Sequence, residues 1–175
     1  THVSSIPDNN QPDSNRLNIE ILVDDAVAFP VESESLRTAV AQAALHRGYD
    51  RGRIGVRVTD DASIRQINRQ FLNHDYATDV ISFPYQADQP SIEGELVISV
   101  DTADRQAREL GWETNRELML YAVHGTLHLA GMDDQDDAQR QQMRKAELDV
   151  LRSLGVADFQ QFAVDNESSV TEGRS

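Results

Sequence analysis

His124 and His128 stand four residues apart in the stretch HGTLHLAGMDD, residues 124–134. Four residues is about one helical turn, so on a helix both imidazoles leave from one face. That spacing lets one helix offer two nitrogen ligands to a single metal ion. Gly131 follows, and glycine reaches the left-handed conformation that ends a helix without a steric penalty. The chain can turn back there and carry Asp133 or Asp134 toward the imidazoles. Three protein ligands with a fourth position left for water is the arrangement of a catalytic zinc site. Its chemistry is hydrolysis, by polarising an oxygen of the substrate or by lowering the pKa of bound water toward ~7.

The helix that would carry this pair is mostly apolar. Ala122, Val123, Leu127, Leu129 and Ala130 surround the two histidines, which are therefore expected to be enclosed. An enclosed imidazole needs a partner, and a metal ion supplies one. The pattern H-x-x-x-H-x-x-G-x-x-D has the spacing of the metzincin metalloproteases, with Asp where they usually place a third His. Their general-base Glu directly follows the first His. Here that position is Gly125, which speaks against a peptidase of that kind.

The elements that position the motif follow from periodicity. Leu17–Val23 alternates and reads as a first strand. Beyond Pro30, Leu36, Val40 and Ala43/Ala44 give a helix near Ser33–Arg47, stopped by Gly48. Arg53–Thr59 is a second strand with Ile54, Val56 and Val58 inward. Asp60 or Asp61 caps a helix carrying Ile64, Ile67 and Phe71. The first half of Leu72–Tyr85 reads as a loop, and Val80–Phe83 as a third strand ended by Pro84. After a loop over Asp88–Glu93, Gly94–Val100 is a fourth strand, antiparallel to the third. Asp101 caps a helix that ends at Gly111. Thr114 and Glu117 form a capping box that starts the histidine helix, which runs to about Ala130. Asp136 caps a last helix with Met143, Glu147, Val150, Leu151 and Leu154 at helical spacing, stopped by Gly155.

The order β-α-β-α-β-β-α-α-α gives an α+β single domain. A small mixed four-stranded sheet packs with about five helices, and the metal site lies on a central helix. The domain covers 16–155. Residues 1–15 form a disordered N-terminal tail, and 156–175 a flexible C-terminal one.

A chain of 175 residues is long enough for one domain with a real core. It has no cysteine, hence no disulfide and no thiolate ligand. No apolar run is long enough to span a membrane, and the N-terminus has no signal-peptide core, so a cytoplasmic protein is expected. The net charge of −14 counts against a broad basic face for nucleic acid. Arg47, Arg51, Arg53, Arg57, Arg65 and Arg69 nevertheless form a basic stretch, read equally well as a phosphate-binding strip or as a solvated surface.

Taken together, INRQFLNHDYATDVISFPY at 67–85, GELVIS at 94–99 and HGTLHLAGMDD resemble the YbeY family of metal-dependent endoribonucleases. The resemblance spans about Leu17–Leu154. It implies a single-strand-specific ribonuclease with one zinc ion, acting on ribosomal RNA of the small subunit, notably at its 3′ end, and in ribosome quality control. Its implied partners are single-stranded ribosomal RNA and the small ribosomal subunit. The family's first two metal-binding His fall on His124 and His128, and its third on Asp134. A carboxylate there makes bound water slightly less acidic and favours harder ions. Where many members have an Arg thought to serve catalysis, this chain has Leu72, and the neighbouring His74 is a substitute for that cation or a loop residue.

The mechanism implied is metal-assisted hydrolysis of an RNA phosphodiester. The proton acceptor is the metal hydroxide itself, Asp133 or His74, and Asp133 also suits orienting a ligand histidine. Thr78, Asp79 and Ser82 match the first motif and serve either the substrate or the start of the strand. Two other classes fit the residues: another zinc hydrolase, and a non-catalytic ribosome-assembly factor with a structural metal.

Overall fold

A computed structural model describes residues 15–156. The expected tails at 1–15 and 156–175 lie outside these residues, apart from one position each. The order is β1 (Leu17–Val23), α1 (Ser33–His46), β2 (Arg51–Thr59), α2 (Asp61–Leu72), β3 (Val80–Asp88), β4 (Ser91–Ser99), α3 (Val100–Leu110), α4 (Thr114–Leu129) and α5 (Asp137–Ser153). It matches the order expected, an α+β domain with five helices and four strands.

The sheet runs β1-β2-β4-β3. β1 and β2 are parallel, as are β2 and β4, while β3 lies antiparallel to β4 at the edge. Alternation sets the faces. Ile54, Val56 and Val58 of β2 and Ile92, Leu96 and Ile98 of β4 point to one side, where they are buried with residues of α1, α4 and α5. Ile81 and Val97 point to the other side, against Ile64 and Ile67 of α2. α4 is buried on nearly all sides and packs on α1, α3, α5, β3 and β4. The motif helix is thus the central one.

Four local expectations need correction. β3 does not end at Pro84 but runs to Asp88, with an irregularity between Pro84 and Gln86. Proline is tolerated because β3 is an edge strand, with ladder bonds on one side only. The loop expected from Asp88 shrinks to a tight turn at Gln89–Pro90, since β4 already begins at Ser91. α3 is capped by Ser99, whose hydroxyl accepts from the Thr102 N–H at 3.2 Å, and not by Asp101. The capping box at Thr114 does not form. The Thr114 hydroxyl donates to Asp104 at 3.2 Å, and Glu117 is buried and accepts from the Trp112 indole at 2.9 Å. Tertiary partners outcompete the local ones.

Candidate metal centre

α4 ends in a tight hydrogen-bonded turn that aims the third ligand. The N–H of Met132 bonds the carbonyl of Leu127, and that of Gly131 bonds the carbonyl of His128, both at 3.0 Å. Gly131 sits at φ 94°, where a side chain is strained. Past this turn Asp134 comes back over the helix face. Arg140 of α5 holds it there by donating to the carbonyls of Asp134 and Gln135, at 3.3 and 3.1 Å.

The result is a compact triad. His124 Nε2 and His128 Nε2 are 3.0 Å apart, and Asp134 Oδ2 lies 3.5 Å from the first and 3.4 Å from the second. Ligands about 2.0–2.1 Å from a tetrahedral zinc lie roughly 3.4 Å from one another. The donor types and their separations therefore fit such an ion. All three side chains are half-buried, which leaves one side of the triad open to solvent.

The electrostatics agree. Burial opposes the charge on His124, but hydrogen bonds with Asp134 and Glu147 outweigh it and push the imidazole up to about 10. The hydrogen bond from His124 is the main reason that the Asp134 carboxyl falls to about 2, against the burial that would raise it. Without a metal ion the same carboxylates hold a proton on His124, and a metal must displace that proton to bind.

Gly125 explains the missing Glu. A Cβ at this position would lie 2.8 Å from Leu96 Cδ2, 3.0 Å from Val80 Cγ2 and 3.3 Å from Ser82 Oγ. The residue after His124 is pressed against the sheet, with no room for a carboxylate facing the ligands. Ser82 Oγ also donates to the Gly125 carbonyl at 3.1 Å. Asp79 accepts from the Val80 N–H at 2.8 Å and from the Thr78 hydroxyl at 3.3 Å. Thr78, Asp79 and Ser82 thus build the start of β3 and its seat on α4.

The other two residues singled out by sequence are not joined to the triad by any hydrogen bond or ion pair. His74 is exposed on the α2–β3 connection, its ring centroid 5.5 Å from that of Tyr76. This connection is fixed by Asn73, left-handed at φ 58°, and by Asn68, whose side chain donates to the Tyr76 carbonyl at 3.0 Å. Asp133 is exposed and lines a cavity with His46 and Asp149. Leu72 ends α2, 45% exposed.

Sequence reasoning missed Glu147. It lies on α5, and its Oε1 is 2.5 Å from Nδ1 of His124. The signal was a carboxylate within an otherwise apolar stripe, between Met143 and Val150.

Comparison with known proteins adds the family. The model of the endoribonuclease YbeY family matches residues 14–155. The endoribonuclease YbeY of Rhodopirellula baltica is 45% identical over 157 residues, covering 83% of this chain and 80% of that protein. That of Pelotomaculum thermopropionicum is 38% identical over 146 residues, covering 78% and 92%. In fold, the chain is similar to the solution structure of TM1509 from Thermotoga maritima, with a TM-score of 0.57 at 21% identity, over 90% of this chain and 99% of that one. The match across the whole domain, with the motif helix at its centre, makes this chain a member of the endoribonuclease YbeY family.

Proposed function

We propose that this protein is a zinc-dependent endoribonuclease that cleaves single-stranded RNA. Its role in this reading is the maturation of the 3′ end of small-subunit ribosomal RNA and ribosome quality control, in the cytoplasm. The observation that carries the proposal is the triad His124, His128 and Asp134, whose three donor atoms stand at the mutual distances of ligands around one small cation. Family membership supplies the class of substrate.

His124, His128 and Asp134 would hold the zinc ion, which would supply Lewis acidity toward a phosphoryl oxygen and would lower the pKa of water toward neutrality. The protein's own groups do the rest. His124 and His128 hold their nitrogens at a fixed separation on one helix face. Asp134 stays ionised and closes the set from the turn after Gly131. The sheet side of α4 is sealed by Leu96 and Val80, so substrate approaches from the open side of the triad. Proton transfer is assigned to His74 or Asp133, both exposed side chains able to accept from a reacting group.

The test couples metal content to cleavage. Elemental analysis of purified wild type should give about one zinc per chain, as one triad predicts. The same preparation should cut a single-stranded fragment of small-subunit ribosomal RNA and leave a peptide substrate intact. His128→Ala should lose metal and cleavage together. Protein without any metal would refute the proposal. Leu72, an exposed apolar side chain where many relatives carry an Arg, favours a second reading: an assembly factor with a structural metal. Stoichiometric metal, no cleavage, and co-sedimentation with small ribosomal subunits that survives Asp134→Ala would select it.

A further inference from the structure

Glu147 has no counterpart among the residues that the motif identifies. It stands on the inner side of α5, between the buried residues Met143, Ala146, Val150 and Leu151. Its side chain is 14% exposed, so most of its hydration is gone. A carboxylate so placed needs a strong partner. The partner is Nδ1 of His124, 2.5 Å away and 23 residues earlier in the chain.

The geometry divides the His124 ring between two neighbours. Nδ1 faces Glu147, while Nε2 faces His128 and Asp134 at 3.0 and 3.5 Å. A carboxylate accepts, so the nitrogen facing it must carry the hydrogen. Once a metal ion takes the place of the proton on the other nitrogen, its lone pair is directed at the centre of the triad. We infer that Glu147 is a positioning residue which fixes His124 as the Nδ1–H tautomer, with Nε2 as the metal ligand. This rests on the metal-dependent reading above and deepens it. An outer carboxylate of this kind holds the ring's orientation and raises its basicity, typically worth 10–100-fold in metal affinity.

A structural alternative is an ion pair that merely ties α5 to α4. Glu147→Met separates the two. An apolar side chain of similar length fills the same space but leaves the His124 ring without its partner, so a loss of stability is expected under either reading, and zinc affinity is what tells them apart. Glu147→Gln keeps an acceptor oxygen in place. Zinc affinity is read by competition with a chromophoric chelator, beside thermal melting of the metal-free protein. Glu147→Met should bind zinc about 10–100-fold more weakly, and Glu147→Gln should recover part of that loss.

A second measurement needs no variant. Histidine ring nitrogen–proton spectra of the zinc-loaded wild type should show a proton on Nδ1 of His124 and the metal on Nε2. Zinc on Nδ1 would overturn the inference, even if both variants failed to fold. So would wild-type zinc affinity in Glu147→Met. A wild type that binds zinc with the Nδ1–H tautomer but cuts no RNA would sustain the role of Glu147 while sinking the endoribonuclease reading. A wild type that takes up no zinc would sink both.

Discussion

Asp134 places an anion where the related motif ends in a neutral imidazole. The His124 hydrogen bond holds its carboxyl down at about 2, so it is charged at every working pH. An anionic oxygen in place of a nitrogen lowers the charge of the loaded centre by one and suits harder ions better. Asp134→His is therefore expected to shift the ratio of zinc to manganese affinity toward zinc, by roughly tenfold or more. Competition titrations of the metal-free protein would read the ratio, and an unchanged value would show that the third ligand does not set metal choice. The same residue shows what sequence can and cannot disclose. Two histidines and a carboxylate within eleven residues were legible because one helix and one turn bring them together. Glu147 was not, because its role depends on how α5 lies against α4, and no local spacing encodes that contact.

The elements fix how firmly the triad is held, and α4 rests on the sheet through Gly125. Replacing this glycine by alanine gains up to about 1 kcal/mol of helix propensity. Against that, a methyl 2.8 Å from Leu96 and 3.0 Å from Val80 overpacks the contact, which costs about 1–3 kcal/mol. The second effect should win. Gly125→Ala is expected to lose about 1 kcal/mol net in urea unfolding and to weaken zinc binding as α4 shifts off β3 and β4. Equal stability and affinity would mean that Leu96 simply rotates away. Another joint ties α2 to α3. Asp61 accepts from the Ser99 and Thr102 hydroxyls at 2.6 and 2.7 Å and from Arg105 at 2.6 Å. Burial alone would raise its pKa, but the bonds from Ser99, Arg105 and Thr102 bring it below 3.8. A depressed native value gives stability that is present above the unfolded pKa and lost as pH falls through the native one. Asp61→Asn should thus cost about 1–3 kcal/mol near neutral pH, with the gap narrowing below about pH 3.8. A gap of constant size from pH 7 to pH 3 in thermal melts would contradict that. Most element positions could be read from alternation and helical spacing, since those patterns record which face is buried. The caps at Ser99 and Thr114 could not. Both Ser99 and Asp101 are competent caps, and Thr114 and Glu117 are a competent box until Asp104 and Trp112 claim them. Pro84 misled for the same reason, because its tolerance comes from β3 lying at the edge of the sheet.

At the scale of the molecule, a protein of net charge −14 is proposed to hold a polyanion. Four of the six arginines in the basic stretch are engaged by carboxylates, which breaks it up as a basic face. Arg53 pairs with Glu20 at 2.8 Å, Arg57 with Asp24 at 2.9 Å, Arg65 with Asp75 at 2.9 Å and Arg51 with Asp50 at 3.0 Å. These guanidiniums mostly knit the sheet surface and the α2–β3 connection together, as in the solvated-surface reading. Exposed pairs of this kind contribute little to stability each, about 0–1 kcal/mol, but their carboxylates cancel the field that a phosphate would seek. Few counterions are then displaced when RNA binds. Binding of single-stranded RNA depends on salt with a slope of about −0.7 per phosphate neutralised. For this protein the slope of log affinity against log salt is expected to be shallow, no steeper than about −2, equivalent to roughly three phosphates. Fluorescence anisotropy of a labelled single-stranded RNA between 50 and 200 mM salt, with a cleavage-dead His128→Ala protein, measures it. A slope near −5 would reveal a phosphate-binding strip after all, and would require the arginines to exchange their carboxylates for the RNA backbone. A shallow slope with weak binding would place the recognition elsewhere. The metal centre would then grip the scissile phosphate alone, and the ribosomal subunit would have to present the strand to it.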